Sequence, residues 1–150
     1  VLATLPAAYT GLHGVVLGQG GLWRGRNVDH IVVGPTGITI IETKNWRGRV
    51  SLAAGRLTVN DTDPTRSPIN QVRAEARNLA EWLAKSVPDA PPIRPLICFV
   101  GDSFDEGLRV IDEITICNSA RLVEAIVSAP GTKFDKNILN RVVERLAQQV

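Results

Sequence analysis

The chain has 150 residues and a formal net charge of +2, with 44% hydrophobic and 21% charged residues. This length suits one domain with a single core, and the composition is that of an ordinary soluble globular protein. No apolar run approaches the ~20 residues of a membrane span and no signal peptide is visible, so we expect a cytoplasmic protein with no membrane segment.

Basic residues are concentrated in one part of the chain. Residues 24–77 contain nine Arg or Lys and five acidic residues, whereas residues 78–150 contain eight basic and ten acidic residues. A polyanionic partner would explain this asymmetry, and a solvated surface of mixed charge is the alternative.

The first half of the chain is rich in β-like segments. Residues 1–8 have the pattern of the end of a helix, so we expect residues 1–150 to form a single domain that is truncated at its N terminus. A glycine-rich connection over 18–27 carries Arg24 and Arg26. Runs of β-branched residues separated by turn residues predict strands at 12–17, 28–33, 38–44, 49–53 and 56–60.

The second half alternates helices and strands. Ser67 as N-cap and Pro68 at the first helical position predict the start of a helix. Its buried stripe at helical spacing is Val72, Ala76, Leu79 and Leu83. Further along we expect strands at 96–100 and 110–117, a helix capped by Asn118 or Ser119, and a last helix capped by Asp135. This order predicts an α/β fold with a mixed central β-sheet flanked by helices.

The two cysteines, Cys98 and Cys117, each lie within an apolar β-like run. This position indicates buried thiols rather than a disulfide framework. The sequence has no Cys-x-x-Cys pair and no histidine-rich cluster, so we expect no structural zinc site.

The strands predicted at 28–33 and 38–44 are joined by a Gly-Pro-Thr-Gly turn. A symmetric turn pairs residues whose numbers sum to 71, which sets Asp29 directly opposite Glu42. Cross-strand partners have Cβ atoms only ~4.5–5.5 Å apart, and two carboxylates at that separation repel unless a cation lies between them or one is protonated. Lys44 projects from the same face as Glu42, two residues away.

These side chains have the composition of a Mg²⁺ site, for which Mn²⁺ is an expected substitute. Mg²⁺ prefers oxygen ligands, which the carboxylates of Asp29 and Glu42 and the carbonyl of Thr43 can supply. Lys44 would orient or deprotonate the attacking water, or screen the developing negative charge. The alternative is a diagonal ion pair between Asp29 and Lys44 on an exposed hairpin, which would contribute little.

The sequence over 28–37 and 41–48 closely resembles the nuclease-related domain (NERD) family. The family pattern is an Asp-His before a Gly-Pro-x-Gly turn, followed by Glu-x-Lys-Asn and a glycine. Residues 67–71 look like the Asn-Pro-x-x-Gln stretch of the family with the order altered around the proline. The resemblance covers about residues 1–125.

This resemblance implies a restriction-endonuclease-like fold of the PD-(D/E)xK superfamily and metal-dependent hydrolysis of DNA phosphodiester bonds. Gln71 then matches the polar residue that the superfamily carries on a helix near the metal. The family usually has a further glutamate on a helix ahead of the first strand. No acidic residue precedes Asp29 in this sequence.

Several basic and aromatic residues are candidates for contact with DNA. The set comprises Arg24, Arg26, Trp46, Arg47, Arg49, Arg73 and Arg77. Trp46 and the arginines beside it could stack on a base and clamp the backbone, or Trp46 could cover the edge of the core while the arginines are solvated. Arg73 and Arg77 are four residues apart and share a helix face.

Three functions remain in competition. The first is a Mg²⁺-dependent nuclease in which Asp29, Glu42, Lys44 and Gln71 form the catalytic site. The second is a nucleic-acid-binding module with weak or no catalysis, and the third is a protein-interaction domain. Either of the latter would be part of a larger DNA-processing polypeptide with fused or associated domains.

Overall fold

A computed structural model describes residues 2–17, 27–131 and 133–150. Its eight strands are β1 (Thr10–Val16), β2 (Asn27–Gly34), β3 (Gly37–Lys44), β4 (Val50–Ala53), β5 (Arg56–Val59), β6 (Ile93–Phe99), β7 (Leu108–Ile111) and β8 (Ile114–Asn118). The α-helices are α1 (Pro68–Ala84), α2 (Leu122–Val127) and α3 (Lys136–Ala147). The predicted α/β fold with a mixed sheet and flanking helices is confirmed. Of the helices described, none is long and apolar enough to cross a membrane.

Six strands form one sheet in the order β1-β2-β3-β6-β8-β7. The pairs β1–β2, β2–β3 and β7–β8 are antiparallel, and β3–β6 and β6–β8 are parallel. Strands β4 and β5 form a separate hairpin. The parallel centre explains why β3 reads Gly-Ile-Thr-Ile-Ile before its charged end, because strands covered on both faces are almost continuously apolar.

The sheet separates two hydrophobic clusters. One contains residues of α1, α3 and the β4–β5 hairpin, including Val72, Val142 and Leu57, together with Ile38 and Ile40 of β3. The other lies on the opposite face and is formed by α2 and the remaining side chains of β2, β3, β6 and β8. Both faces of the central strands are therefore covered.

Helix α1 begins where the sequence predicts. The hydroxyl of Ser67 accepts a hydrogen bond from the backbone N–H of Asn70 at 3.2 Å, and Pro68 is at the first position, where a missing N–H costs nothing. The predicted stripe Val72, Ala76, Leu79 and Leu83 is buried. This stripe fixes the rotation of the helix against β3 and β6, and so decides which polar side chains face the sheet.

Two predictions about secondary structure were wrong. The strand expected over 110–117 is a hairpin of β7 and β8, because Asp112 and Glu113 adopt φ values of 47° and 68° that reverse the chain in a two-residue turn. The expected helix end over 1–8 is only a short 3-10 helix, Leu2–Thr4. Of the connection predicted over 18–27, Asn27 begins β2, and residues 18–26, with Arg24 and Arg26, lie outside the described residues.

The prediction about the cysteines is confirmed. Cys98 and Cys117 are free and buried, and they are register partners on the parallel strands β6 and β8. They pack within the cluster on the α2 face of the sheet, and Cys98 is the register partner of Thr43, so it lies on the face opposite Glu42 and Lys44.

Candidate active site

The register predicted for the β2–β3 hairpin is confirmed. The paired residues run from Gly34–Gly37 to His30–Ile41, and each pair sums to 71. The paired residues end there, and the same register extended by one step would set Asp29 opposite Glu42. The carboxylate of Asp29 accepts a hydrogen bond from the backbone N–H of Thr43 at 3.1 Å, so a side chain of β2 bonds the end of β3 at this point.

Glu42 and Lys44 form an ion pair at the carboxyl end of β3. Lys44 Nζ is 3.1 Å from Glu42 Oε1, and their side chains are 20% and 8% exposed. Both side chains project from the face that carries Ile38 and Ile40, because successive side chains alternate along a strand. The pair therefore lies at the edge of the hydrophobic cluster that contains residues of α1 and α3.

Gln71 closes this pair into a three-membered hydrogen-bonded cluster. Lys44 Nζ donates to Gln71 Oε1 at 3.1 Å, and Gln71 Nε2 donates to Glu42 Oε1 at 3.0 Å. The amide oxygen of Gln71 thus accepts a hydrogen bond from an ammonium group, and its NH₂ group donates one to a carboxylate. Gln71 lies in the first turn of α1, where capping by Ser67 holds the backbone in place. The structure therefore brings together three of the predicted residues.

Glu75 belongs to the same cluster and was missed by the sequence analysis. It lies one turn after Gln71 on α1, it is 6% exposed, and its Oε1 accepts a hydrogen bond from Gln71 Nε2 at 3.1 Å. Its Oε2 is buried without a hydrogen-bond partner. The signal that could have found it is its i, i+4 spacing from Gln71, one position before the buried Ala76.

Burial raises the pKa of Glu75 to about 7, and the negative charge of Glu42 adds to this effect. Asp29 contributes in the same direction, while the hydrogen bond from Gln71 opposes it. Two further carboxylates therefore act on Glu75, and Lys44 forms an ion pair with one of them, Glu42. A surplus of negative charge in a half-buried site favours a cation or a retained proton.

His30 lies on the opposite side of the sheet from this cluster. Its Nδ1 is 2.7 Å from Nδ1 of His13, its partner on β1, and the two rings meet edge to face. Burial lowers the pKa of His30, and the neighbouring His13 lowers it further. A hydrogen-bonding role away from the carboxylates agrees with the alternation expected of a strand.

Comparison with known proteins identifies the family. A sequence model described as nuclease-related domain, NERD, matches residues 1–100. The chain belongs to the nuclease-related domain family. That family is part of the PD-(D/E)xK-like nuclease superfamily, and the mixed sheet with its helices is consistent with a restriction-endonuclease-like fold. The match ends before residue 125, to which the resemblance was expected to extend.

One relative shows how small a part of a longer protein such a domain can be. "Probable kinase PglW" of Streptomyces coelicolor (strain ATCC BAA-471 / A3(2) / M145) is 27% identical over 110 residues, which are 71% of this chain and 7% of that protein. The chain thus spans a small fraction of this relative's length. No solved structure matches the chain significantly.

Membership of the nuclease-related domain family suggests a divalent metal. Among the described residues, no group of three or more His, Cys, Asp or Glu side chains is close enough to hold a metal ion in the present arrangement. The chemistry of the donors nevertheless fits a hard cation, since Asp29, Glu42 and Glu75 offer carboxylate oxygens and one buried oxygen of Glu75 has no partner.

The residues expected to contact DNA in this nuclease-related domain fall into separate groups. Trp46 is half-buried and packs against Phe99 with ring centroids 5.4 Å apart, which agrees with the alternative that it covers the core edge. Arg47 and Arg49, which follow it, are exposed. All three come directly after the charged end of β3, which is the part of the sheet nearest the carboxylates.

The helix separates the other two arginines from the site. Arg73 is two residues from Gln71, and a helix turns by about 200° over two residues. Arg73 and Arg77 line a different cleft of about 600 Å³, together with Asp112 and Glu113 of the β7–β8 turn. The structure does not bring these two arginines together with the carboxylates.

Arg66 is a basic residue that the sequence analysis did not single out. It is exposed just before the N-cap of α1 and lines an open cleft of about 520 Å³ with Gln71 and Glu75. The signal that could have identified Arg66 is its position just before the helix that carries Gln71 and Glu75.

Proposed function

We propose that this nuclease-related domain is a Mg²⁺-dependent enzyme that hydrolyses DNA phosphodiester bonds. The observation that carries the proposal is the bonded cluster of Glu42, Lys44 and Gln71 at the end of β3, with Asp29 bonded to the adjacent Thr43. Carboxylates beside an ammonium group, in a family related to nucleases, suit the attack of water on a phosphate.

Each residue has a separate task in this proposal. Asp29 and Glu42 hold the metal, with the carbonyl oxygen of Thr43 as a further ligand. A bound divalent ion supplies Lewis acidity at the phosphate and favours deprotonation of water. Lys44 orients that water or stabilises charge on the phosphate, and Gln71 holds the lysine and Glu42 in fixed positions.

DNA would reach the site over the exposed basic residues near it. Arg47, Arg49 and Arg66 are exposed, and phosphate contacts of this kind position a duplex or single strand without reading its sequence. Trp46, Arg24, Arg26, Arg73 and Arg77 remain predicted DNA contacts. We also propose that the protein is cytoplasmic.

The experiment compares cleavage and binding of plasmid and single-stranded DNA by the wild-type chain, Glu42→Ala and Lys44→Ala. We expect metal-dependent cleavage by the wild type and a loss of at least about 100-fold in each variant, the usual size of one electrostatic contribution to catalysis. Glu81→Gln and Lys136→Ala change exposed residues and serve as controls. Cleavage that survives both active-site substitutions would refute the proposal.

A DNA-binding module without efficient cleavage is the second candidate. It is favoured by the bonding of Lys44 to both Glu42 and Gln71, which leaves this ammonium group partly engaged. It is also favoured by the small share of the relative's length that the match covers, as expected for an accessory domain of a larger polypeptide. Salt-sensitive DNA binding with no cleavage would support it, and no binding at low salt would point to a protein partner instead.

A further inference from the structure

Glu75 is a buried carboxylate that the proposed mechanism does not use. It is 6% exposed, and its Oε2 has no hydrogen-bond partner although the atom is inaccessible. None of the ion pairs among the described residues includes it. An ionised group in this position costs free energy unless something compensates its charge.

The amide group of Gln71 bridges this carboxylate to that of Glu42. Gln71 Nε2 lies 3.0 Å from Glu42 Oε1 and 3.1 Å from Glu75 Oε1, so one NH₂ group satisfies one oxygen on each acid. The remaining oxygen of Glu75 is the one without a partner. Two carboxylates directed at the same small space, with one oxygen left over, match the preference of a hard divalent cation.

Gln71 and Glu75 border a cleft that is open to solvent. An open cleft of about 520 Å³ is lined by Asn27, Arg66, Ser67, Gln71, Ala74 and Glu75. An ion or a phosphate can therefore reach the α1 side of the cluster. Arg66 at the rim carries the charge that an incoming phosphate requires.

We propose that Glu75 and Glu42 together hold a divalent cation. This inference rests on the proposed function and extends its metal site from β2 and β3 to α1. Gln71 then has a second task, because its amide spaces the two glutamates in the absence of the ion. Glu75 contributes to affinity for the metal more than to the stability of the fold.

The test measures binding of Mn²⁺ to the 150-residue chain by calorimetry and by the electron paramagnetic resonance of free Mn²⁺. The variants are Glu75→Gln, Glu75→Asp and Glu42→Gln, and Glu81→Gln is the matched control on the exposed side of α1. Thermal unfolding with and without Mn²⁺ accompanies each titration. None of these readouts depends on cleavage.

We expect Glu75→Gln to weaken Mn²⁺ binding by about 10- to 100-fold, the usual effect of losing a group that supports a metal site. Its metal-induced rise in melting temperature should shrink, while its melting temperature in chelator should not fall. Glu75→Asp, which keeps the charge, should bind with intermediate affinity and serves as the test if the glutamine variant does not fold. Glu81→Gln should match the wild type.

The outcomes separate the two proposals. Wild-type affinity in Glu75→Gln together with weak binding in Glu42→Gln would overturn the role of Glu75 and leave the proposed function in place. A wild-type chain that binds no Mn²⁺ would overturn both. A glutamine variant that loses stability equally with and without metal would show a structural role and would also overturn the inference.

Discussion

Removing the charge of Glu75 should stabilise the metal-free protein at alkaline pH. Burial raises the pKa of this carboxyl in the folded state to about 7 from its usual 4.5, so the folded protein binds a proton that the unfolded chain has released. Stability contributed by that proton is complete below pH 4.5 and is lost as the pH rises to about 7. The Glu75→Gln variant has no carboxyl group at this position, so it does not lose this stability as the pH rises.

The size of the effect follows from the two pKa values. Each pH unit between them corresponds to about 1.36 kcal/mol, so the raised pKa sets an upper limit of about 3 kcal/mol on the change in unfolding free energy. Glu75 adjoins an open cleft, and solvent there screens part of the cost. We therefore expect the glutamine variant to be more stable than the wild type by about 1 to 2 kcal/mol at pH 8.

The assay is urea unfolding in the presence of a chelator at several pH values from 4.5 to 8. The informative quantity is the difference in unfolding free energy between Glu75→Gln and the wild type, because titrating groups that do not interact with Glu75 cancel in it. This difference should grow with pH and level off above about pH 7. Glu81→Gln should show no such trend. A glutamine variant less stable than the wild type at pH 8 would refute the reasoning.

Four further substitutions test other parts of the structure. Lys44→Met should lower the unfolding free energy by about 1–3 kcal/mol in chemical denaturation, because it leaves a buried carboxylate without its ion pair; unchanged stability would contradict the pairing. Ser67→Ala should cost about 1 kcal/mol in the same measurement through loss of the helix cap, and no loss would mean that the cap is dispensable. Gly34→Ala should cost about 1–3 kcal/mol, since its Cβ would lie 2.2 Å from the ring of Tyr9. Gly55→Ala, where the Cβ meets nothing within 4 Å but φ is +74°, is the comparison with backbone strain alone and should cost about 1 kcal/mol. Equal losses in the two glycine variants would contradict the clash.

The hairpin was predictable because its turn chemistry and its β-branched strands agree. A symmetric Gly-Pro-Thr-Gly turn sets one register, and that register is observed from Gly34–Gly37 to His30–Ile41. The same agreement held for α1, where Ser67 and Pro68 set the start and the apolar spacing set the buried face. Local signals of this strength leave tertiary structure little to change.

Two features of the structure, the turn between β7 and β8 and the position of Glu75, could not be predicted from local sequence patterns. Asp112 and Glu113 form a turn in left-handed conformations that carries no glycine or asparagine, so the run over 110–117 has the pattern of one strand. Glu75 is a charged residue beside a buried stripe, a position usually solvated, and only its bond to Gln71 identifies it as part of the site. That bond depends on how α1 rotates against β3.

The site is located where β2 ceases to pair with β3 through its backbone. Beyond His30–Ile41, the carboxylate of Asp29 accepts the N–H of Thr43 in place of a backbone carbonyl. This exchange gives Asp29 a fixed position and ties it to the strand that carries Glu42. The other half of the site depends on the first two turns of α1, so the geometry of the carboxylates is coupled to the packing of one helix on one strand. Substitutions that shift α1 should therefore alter affinity for metal before they unfold the sheet.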